Sequence, residues 1–187
     1  MNATLDLLGT RRSVPPARLE APGPDREALD AILTRAARVP DHGKLAPWRF
    51  IVIEGEARTR IGETIAAAFR ADNPEADPAR LDLERGRLAH APTVVAVVSR
   101  AGPHVKIPEW EQVLSAGAAT MNLVVAANAA GFATAWLTEW FAYDRRVLDA
   151  LGLAPSERIA GFVHIGRPAE IPGDRPRPDL AEIVTRL

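Results

Sequence analysis

Two segments of the chain combine side chains that can grip an anionic or carbonyl group. Arg11, Arg12 and Ser13 place two guanidiniums and a hydroxyl side by side, and such donors form strong hydrogen bonds to phosphate or carboxylate. Residues 38–50 read Arg-Val-Pro-Asp-His-Gly-Lys-Leu-Ala-Pro-Trp-Arg-Phe, a loop dense in titratable groups, in which His42 is the natural donor to an anionic or carbonyl oxygen. The alternatives are a solvated basic turn at residues 11–13 and a His42 satisfied by Asp41.

Two further segments carry aromatic side chains next to charges. Residues 104–112 read His-Val-Lys-Ile-Pro-Glu-Trp-Glu-Gln, a charged loop that enters a helix. We expect Trp110 to anchor this helix in the core and Lys106 to lie at the surface, the alternative being a binding role. Trp136 and Trp140 stand four residues apart near the end of a predicted strand. Their rings can stack on a planar ligand, although core or interface packing is the commoner use of tryptophan.

Several classes of chemistry are excluded by what the sequence lacks. Without cysteine there is no disulfide, thiolate metal site or cysteine nucleophile. The 13 glycines never stand two residues apart, which excludes Gly-x-Gly nucleotide loops, and no Gly-x-Ser-x-Gly elbow occurs. Residues 161–166 have the span of a phosphate loop, but Arg167 and Pro168 follow where Lys and Ser or Thr are required. The four dispersed histidines predict no metal site.

Charge and hydropathy narrow the range of partners. The 187 residues include 23 basic and 24 acidic side chains, and this balance argues against nucleic acid as a partner. No run of 18 apolar residues occurs, and residues 1–10 lack a cationic stretch followed by a long apolar one. We therefore predict a cytoplasmic protein without membrane contact.

Hydrophobic periodicity predicts the elements that must position these segments. Thr4 is expected to cap a short helix, and Asp25 to begin another that ends before Pro40. Further helices are predicted at 55–70, 80–89, 109–130 and 144–151, and strands at 48–53, 93–99, 132–138 and 159–166. Helices bracketing four short strands in mixed order predict an α+β sandwich.

The helix predicted at 109–130 and the C-terminal tail are the least ordinary elements. The second half of the helix is apolar or small on every side, so we expect it to be buried all round, with Gly131 as its cap. Residues 168–178 contain four prolines and cannot form regular structure. We predict one domain over residues 1–187, with the tail lying along a surface.

Taken together, the motifs resemble those of the nitroreductase family of flavin mononucleotide (FMN) enzymes, in particular its small bacterial NAD(P)H nitroreductase branch. The resemblance rests on Arg11-Arg12-Ser13, on Pro-Asp-His-x-x-x-x-Pro-Trp-x-Phe at 40–50, and on His-x-Lys-x-Pro-x-Trp-Glu-Gln at 104–112. It extends through the Ala/Gly-rich helix ending in Gly131-Phe132, through Trp136 and to Gly166.

The resemblance implies a nitroreductase-like sandwich with a central mixed or antiparallel sheet flanked by helices. It also implies an intertwined homodimer with FMN at the subunit interface, where residues 168–187 pack on the partner subunit. The implied reaction is hydride transfer from NADH or NADPH through flavin N5 to nitroaromatics, quinones or similar small acceptors, by a ping-pong mechanism with no catalytic side chain. The alternatives are an FMN protein of this fold with another flavin reaction, and a cofactor-free helical interaction protein.

The resemblance also implies a set of site residues. Arg11, Arg12 and Ser13 would hold the ribityl phosphate and the pyrimidine edge of FMN, and Arg38 and His42 would approach from the other subunit. Trp136, Leu137 and Thr138 would line the isoalloxazine, with Arg167 as an additional phosphate ligand. The nicotinamide would be bordered by Ala126, Ala127, Asn128, Ala129, Ala130 and Gly131.

Overall fold

The computed structural model describes residues 2–187, which form five strands and seven α-helices. The strands are β1 (Leu19–Glu20), β2 (Trp48–Glu54), β3 (Thr93–Ser99), β4 (Ala133–Leu137) and β5 (Arg158–Pro168). The helices are α1 (Ala3–Thr10), α2 (Arg26–Ala36), α3 (Glu56–Asp72), α4 (Pro78–Arg85), α5 (Glu109–Ala129), α6 (Arg145–Ala150) and α7 (Leu180–Ile183). This confirms the α+β class.

All paired strands of the sheet run antiparallel. β3 lies between β2 and β5, and β4 pairs with the other edge of β5, from Ala133↔Gly166 to Leu137↔Phe162. Every residue of β3 is buried, because neighbouring strands cover both its edges and helices cover both its faces. The free edge of β4 receives one parallel bridge, between Ser13 and Thr134.

Alternation along the strands produces two apolar cores, one on each face of the sheet. On the first face, the side chains of Val94, Ala96, Val98 and Phe162 pack with α3, α6 and Phe141. On the second, those of Val95, Val97, Val163 and Ile165 pack with α2 and α5. We call these faces the α3 side and the α5 side.

The ends of the helices follow the sequence prediction with one correction. Asp25 caps α2 by accepting a hydrogen bond from the Ala28 amide at 2.8 Å. Gly131 ends α5 with φ of +82°, a conformation that favours glycine. The prediction of Thr4 as the first cap is wrong. Asn2 caps α1 through its side-chain oxygen, and the Thr4 amide is one of the donors it receives.

The prediction that α5 is buried all round is also wrong within one chain. Its sheet-facing residues are buried, whereas Trp110 on its first turn is 68% exposed and Leu114 is 52% exposed. A helix in a single outer layer can bury only the face it turns toward the sheet. The expectation that Trp110 is a core anchor fails for the same reason.

The sheet extends further toward the C-terminus than the sequence predicts. β5 continues through Arg167 and Pro168, because these residues pair with Glu20 and Leu19 of β1, a two-residue strand that the proline-rich pattern concealed. The predicted helix at 80–89 is divided into α4 and a 3-10 turn at Gly86–Leu88. Beyond Pro168 the tail is irregular, as predicted, apart from the four-residue α7.

Candidate functional site

The Arg11-Arg12-Ser13 segment lies beside the free edge of β4. α1 ends at Thr10, and the following chain is held to the sheet by the Val14 amide, which donates to the Thr134 carbonyl at 2.9 Å. Among residues 2–187 no carboxylate oxygen lies within 4.0 Å of the Arg11 guanidinium. The segment therefore presents hydrogen-bond donors to a ligand at the sheet edge.

Arg12 is the less exposed of the two arginines, because the tail crosses it. One guanidinium nitrogen lies 3.4 Å from the Pro172 carbonyl and 3.7 Å from a carboxylate oxygen of Asp174, and only 14% of the Arg12 side chain is exposed. Asp174 itself is 70% exposed and too distant for a short ion pair. The tail thus covers Arg12 without saturating its donors.

The C-terminal end of β4 carries a partly exposed aromatic ring, that of Trp136. The Trp136 ring nitrogen donates to the Ala160 carbonyl at 3.1 Å, and the indole lies directly on Gly161 of β5. A Cβ at residue 161 would stand 2.0 Å from that nitrogen, so only glycine allows this placement. Trp136 is 39% exposed, and Leu137 and Thr138 are half-buried beside it.

A buried charge network fixes the turn that follows Thr138. Glu139 has φ of +53°, which is strained for a residue with a side chain, and its carboxylate pairs with Arg87 at 2.9 Å. Arg87 also binds Glu84 through two hydrogen bonds, and the ring nitrogen of Trp140 donates to Glu84 at 2.9 Å. The exit of β4 is therefore held from the α3 side.

The α5 terminus carries the residues predicted for the nicotinamide side. Ala126, Ala129 and Ala130 line a cleft of about 300 Å³ against α2. Asn128 binds the Val124 carbonyl and the Thr134 hydroxyl, and so joins α5 to β4. Ala127 is fully buried within the chain.

Arg167 is engaged at the same terminus. It donates to the Gly131 carbonyl at 2.7 Å, and its guanidinium lies 4.4 Å from the centre of the Phe132 ring. Arg167 therefore satisfies an otherwise unpaired carbonyl at the end of α5. Its role as a phosphate ligand stays a prediction.

The loop that carries Arg38 and His42 runs along α5 toward the N-terminal end of that helix. The Asn122 side chain donates to the carbonyl of Arg38 at 2.9 Å, and the Ser115 hydroxyl donates to the carbonyl of Pro40 at 2.8 Å. His42 Nδ1 stands 2.6 Å from a carboxylate oxygen of Glu111. The partner of His42 is therefore Glu111 and not Asp41, whose oxygens accept the amides of Leu45 and Ala46.

One chain does not bring His42 together with residues 11–13. The contact at Glu111 and the contact at Asn128 are separated by 17 residues of α5, or about 25 Å at 1.5 Å per residue. His42 thus lies at one end of the helix and residues 11–13 at the other, whereas the Arg38 carbonyl contacts Asn122, six positions before Asn128.

The 104–112 motif holds a loop in place. His104 Nδ1 accepts the amides of Lys106 and Ile107, and the side chain of Gln112 binds both the amide and the carbonyl of Gly102. Lys106 is exposed, as predicted. The part of the motif that reaches the site is Glu111, through His42.

Glu111, Ser115 and Asn122 were not identified from the sequence. Their spacing of four and seven residues places them within about 40° of one another on a helix of 3.6 residues per turn. Polar side chains aligned on one face of an otherwise apolar helix were a signal that could have revealed them.

Two classes of site find no support in the described chain. Residues 2–187 contain no group of three or more His, Asp or Glu side chains arranged to hold a metal ion. Over the same residues, no α-helix has both the length and the hydrophobicity needed to cross a bilayer. The arrangement suits a ligand that is anionic at one end and planar at the other.

The chain is similar to known proteins over most of its length. The family model described as "Nitroreductase family" matches residues 8–167. The Escherichia coli K12 protein named "Putative NAD(P)H nitroreductase YdjA" is 37% identical over 164 residues, covering 88% of this chain and 87% of that protein. A Haemophilus influenzae protein of the same description is 39% identical, covering 87% and 86%.

Solved structures share the fold. A nitroreductase-like protein from Bacillus cereus aligns with a TM-score of 0.85 at 21% identity, over 100% of this chain and 97% of its own. A Desulfovibrio desulfuricans protein, solved in complex with FMN, aligns with a TM-score of 0.76 at 25% identity, over 100% and 98%.

Proposed function

The chain belongs to the nitroreductase family, and we propose that it is an FMN-dependent oxidoreductase. In this proposal NADH or NADPH is the reductant, nitroaromatics, quinones or similar small molecules are the acceptors, and the two react in turn. FMN, when bound, supplies the hydride chemistry at its N5 atom. The observation that carries the proposal is the docking of residues 11–13 at Thr134 of β4, the strand whose C-terminal end carries Trp136 and leads to Thr138.

The donors at the sheet edge fit the phosphate end of FMN. Arg11 has no carboxylate within 4.0 Å, and Ser13 is exposed next to it. Two guanidiniums can bind a phosphate with paired, charge-assisted hydrogen bonds. Asp174 is exposed and can leave Arg12 when a stronger anion arrives.

The end of β4 fits the ring of FMN. Because Gly161 leaves room for the Trp136 indole on β5, this partly exposed ring offers a wall against which a planar ligand can pack. Half-buried Thr138 adds a hydroxyl at its rim. Guanidiniums at the pyrimidine edge would offset negative charge that develops there, so no side chain of this chain has to act as an acid or base.

Absorption spectroscopy of the purified protein tests the proposal directly. We expect a flavin spectrum, either as isolated or after FMN is added, and loss of the visible flavin band when NADPH or NADH is added without oxygen. Addition of a quinone should then restore the band. A protein that binds FMN but is not reduced by either nucleotide would have a different flavin reaction, and one that binds no FMN would contradict the proposal entirely.

We further propose that the working unit is a homodimer with FMN at the interface. Apolar side chains remain uncovered on α1 and on the outer face of α5, where Leu5, Leu8, Trp110 and Leu114 are all more than half exposed. The separation of His42 from residues 11–13 has the same explanation, since a second chain can supply the missing contact. The cytoplasmic location stays a prediction.

Mixed dimers test whether the site is shared between subunits. Arg12→Glu and Arg38→Glu should each prevent FMN binding in a homodimer. In a heterodimer of the two variants, a shared site leaves one intact pocket, so we expect one FMN per heterodimer. If each chain builds its own pocket, both pockets stay broken and no FMN binds. Circular dichroism confirms that both variants fold.

A further inference from the structure

We infer that Glu111 is a positioning residue for His42: it fixes which ring nitrogen carries the proton and presents the other to the cofactor as a hydrogen-bond acceptor. The inference rests on the proposed function, in which His42 reaches the FMN of the opposite subunit. It concerns a residue of α5 that lies outside the set predicted to contact FMN.

The contact itself determines the tautomer. His42 Nδ1 lies 2.6 Å from a carboxylate oxygen of Glu111, and a carboxylate can only accept hydrogen bonds. Nδ1 must therefore carry the hydrogen, which leaves the lone pair of the neutral ring on Nε2. Among residues 2–187, no side chain or backbone group forms a hydrogen bond with Nε2.

Other hydrogen bonds already hold the backbone around His42. The contact with Glu111 therefore acts only on the imidazole ring. Ser115 holds the carbonyl of Pro40, and the oxygens of Asp41 accept two amides further along the loop. Gly43 follows with φ of +72°, packed so closely that a Cβ there would overlap the Ile107 side chain. Asp41 is thus unable to compete with Glu111 for the imidazole.

The surroundings leave Nε2 accessible to a ligand. His42 and Glu111 line an open cleft of about 270 Å³ with Pro40, Leu114, Ser115 and Ala118. The side chains of His42 and Glu111 are 63% and 45% exposed, and Leu114 belongs to the apolar surface that we assign to the dimer interface. The pair therefore faces the side from which the second subunit and its cofactor would approach.

A chemical consequence follows for the group that His42 meets. A neutral His42 with its hydrogen on Nδ1 accepts at Nε2, so its partner on FMN must carry a hydrogen, as a ribityl hydroxyl or a ring N–H does. This reverses the expectation from the sequence, in which His42 donates to an anionic or carbonyl oxygen. In this arrangement only a protonated His42 could donate.

The chain contains an internal reference for the experiment. His104 Nδ1 accepts two backbone amides, so the hydrogen of the neutral His104 ring lies on Nε2, opposite to that of His42. Nitrogen NMR of ¹⁵N-histidine-labelled protein distinguishes the two tautomers. We expect His42 and His104 to show opposite patterns, both in the FMN-loaded dimer and in the FMN-free protein, with His42→Asn assigning the signals.

Variants of two glutamates on one turn of α5 distinguish the effect of the Glu111–His42 contact from the effect of negative charge alone. Glu111→Ala should give His42 a mixture of tautomers and weaken FMN binding about tenfold, whereas Glu111→Gln, whose amide oxygen can still accept, should keep the tautomer. Glu109→Ala is the matched control, because Glu109 is exposed on the same turn and makes no side-chain hydrogen bond or ion pair among residues 2–187. It should change neither readout.

Three results would overturn the inference: a hydrogen on Nε2 of His42 in the parent protein, identical spectra for the parent and Glu111→Ala, or unchanged FMN affinity after the tautomer is lost. Failure of the parent protein to bind FMN in a separate titration would instead contradict the proposed function and the cofactor contact. The FMN-free spectrum would still decide whether Glu111 sets the tautomer.

Discussion

The α3 side and the α5 side of the sheet differ in how far one chain provides partners for their charged groups and covers their apolar side chains. On the α3 side, Glu84 has no exposed surface, yet its carboxylate is bonded by Arg80, Arg87 and Trp140. Burial by itself raises the pKa of Glu84, but these hydrogen bonds and the two arginine charges outweigh it and lower the pKa overall. On the α3 side, groups of the same chain thus stabilise the buried charge.

On the α5 side, by contrast, one chain leaves charged groups without partners and apolar side chains uncovered. The guanidiniums of Arg11 and Arg38 have no carboxylate within 4.0 Å among residues 2–187, and apolar side chains on α1 and α5 remain uncovered. Arginines and leucines left in this state are suited to an anion and to a second apolar surface. The difference is that one chain completes the α3 side and leaves cationic and apolar groups without partners on the α5 side.

The largest effect should come from breaking the buried network on the α3 side. Glu84→Ala leaves Arg87 and Arg80 without their shared carboxylate and should lower the free energy of unfolding by about 3–5 kcal/mol, measured by urea denaturation. Glu63→Ala is the control, because its ion pair with Arg85 is exposed and should contribute less than about 1 kcal/mol. Equal losses of unfolding free energy in the two variants would contradict the larger contribution expected from Glu84.

The next largest effect is expected on the α5 side, in ligand binding and not in folding. Arg12→Glu places a negative charge at the proposed phosphate position and should weaken FMN binding by about 100-fold, or about 2.7 kcal/mol. Arg60→Glu, at an exposed position of α3, should leave the affinity unchanged. Fluorescence titration measures the affinity, and sedimentation should show that the dimer persists. Unchanged affinity for Arg12→Glu would move the phosphate site elsewhere.

A smaller effect sharpens the comparison, because the α3 side has its own unsatisfied atom. His164 is 1% exposed, its Nδ1 has no hydrogen-bond partner, and burial, followed by the charge of His90, lowers its pKa to about 4. The unfolded histidine binds its proton near pH 6.5, so the unfolded chain holds more protons between these values. Stability is therefore complete above about pH 6.5 and falls as the pH decreases, by about 2 kcal/mol between pH 7 and 5.

Replacing His164 with leucine should remove this part of the pH dependence. Denaturation midpoints of His164→Leu should change less between pH 7 and 5 than those of the parent protein. His90→Gln, at an exposed position, should retain most of the slope. Parallel slopes for the parent and His164→Leu would assign the dependence to other groups.

The smallest effect concerns the tail. Leu180 and Ile183 of α7 are 68% and 63% exposed in one chain, and we propose that they pack on the partner subunit. The double variant Leu180→Ser and Ile183→Ser should raise the dimer dissociation constant about tenfold, or about 1.4 kcal/mol. Leu83→Ser, an exposed position of α4, should not change it. Sedimentation equilibrium gives both values, and equal effects would mean that the tail lies outside the interface.

The sequence was sufficient for most of the secondary structure, because each long element has a strong local signal. The apolar run of β3, the cap of α2 at Asp25 and the end of α5 at Gly131 all lie where the pattern predicts them. The strand β1 escaped prediction because two residues carry no periodicity and its pairing partner lies almost 150 residues away. Trp110 was misplaced because apolar character does not say whether a side chain packs within its own chain.

The sequence by itself was enough to nominate the candidate site residues, because the arginines, His42 and Trp136 were all recognisable from residue type and motif. Only the tertiary structure decided which groups these side chains contact. Glu111 is 69 positions from His42, and Asp174 lies 162 positions from Arg12, so neither contact leaves a trace in local spacing. Hydrogen bonds act over about 3 Å in space whatever the separation along the chain, and folding alone brings such pairs within reach.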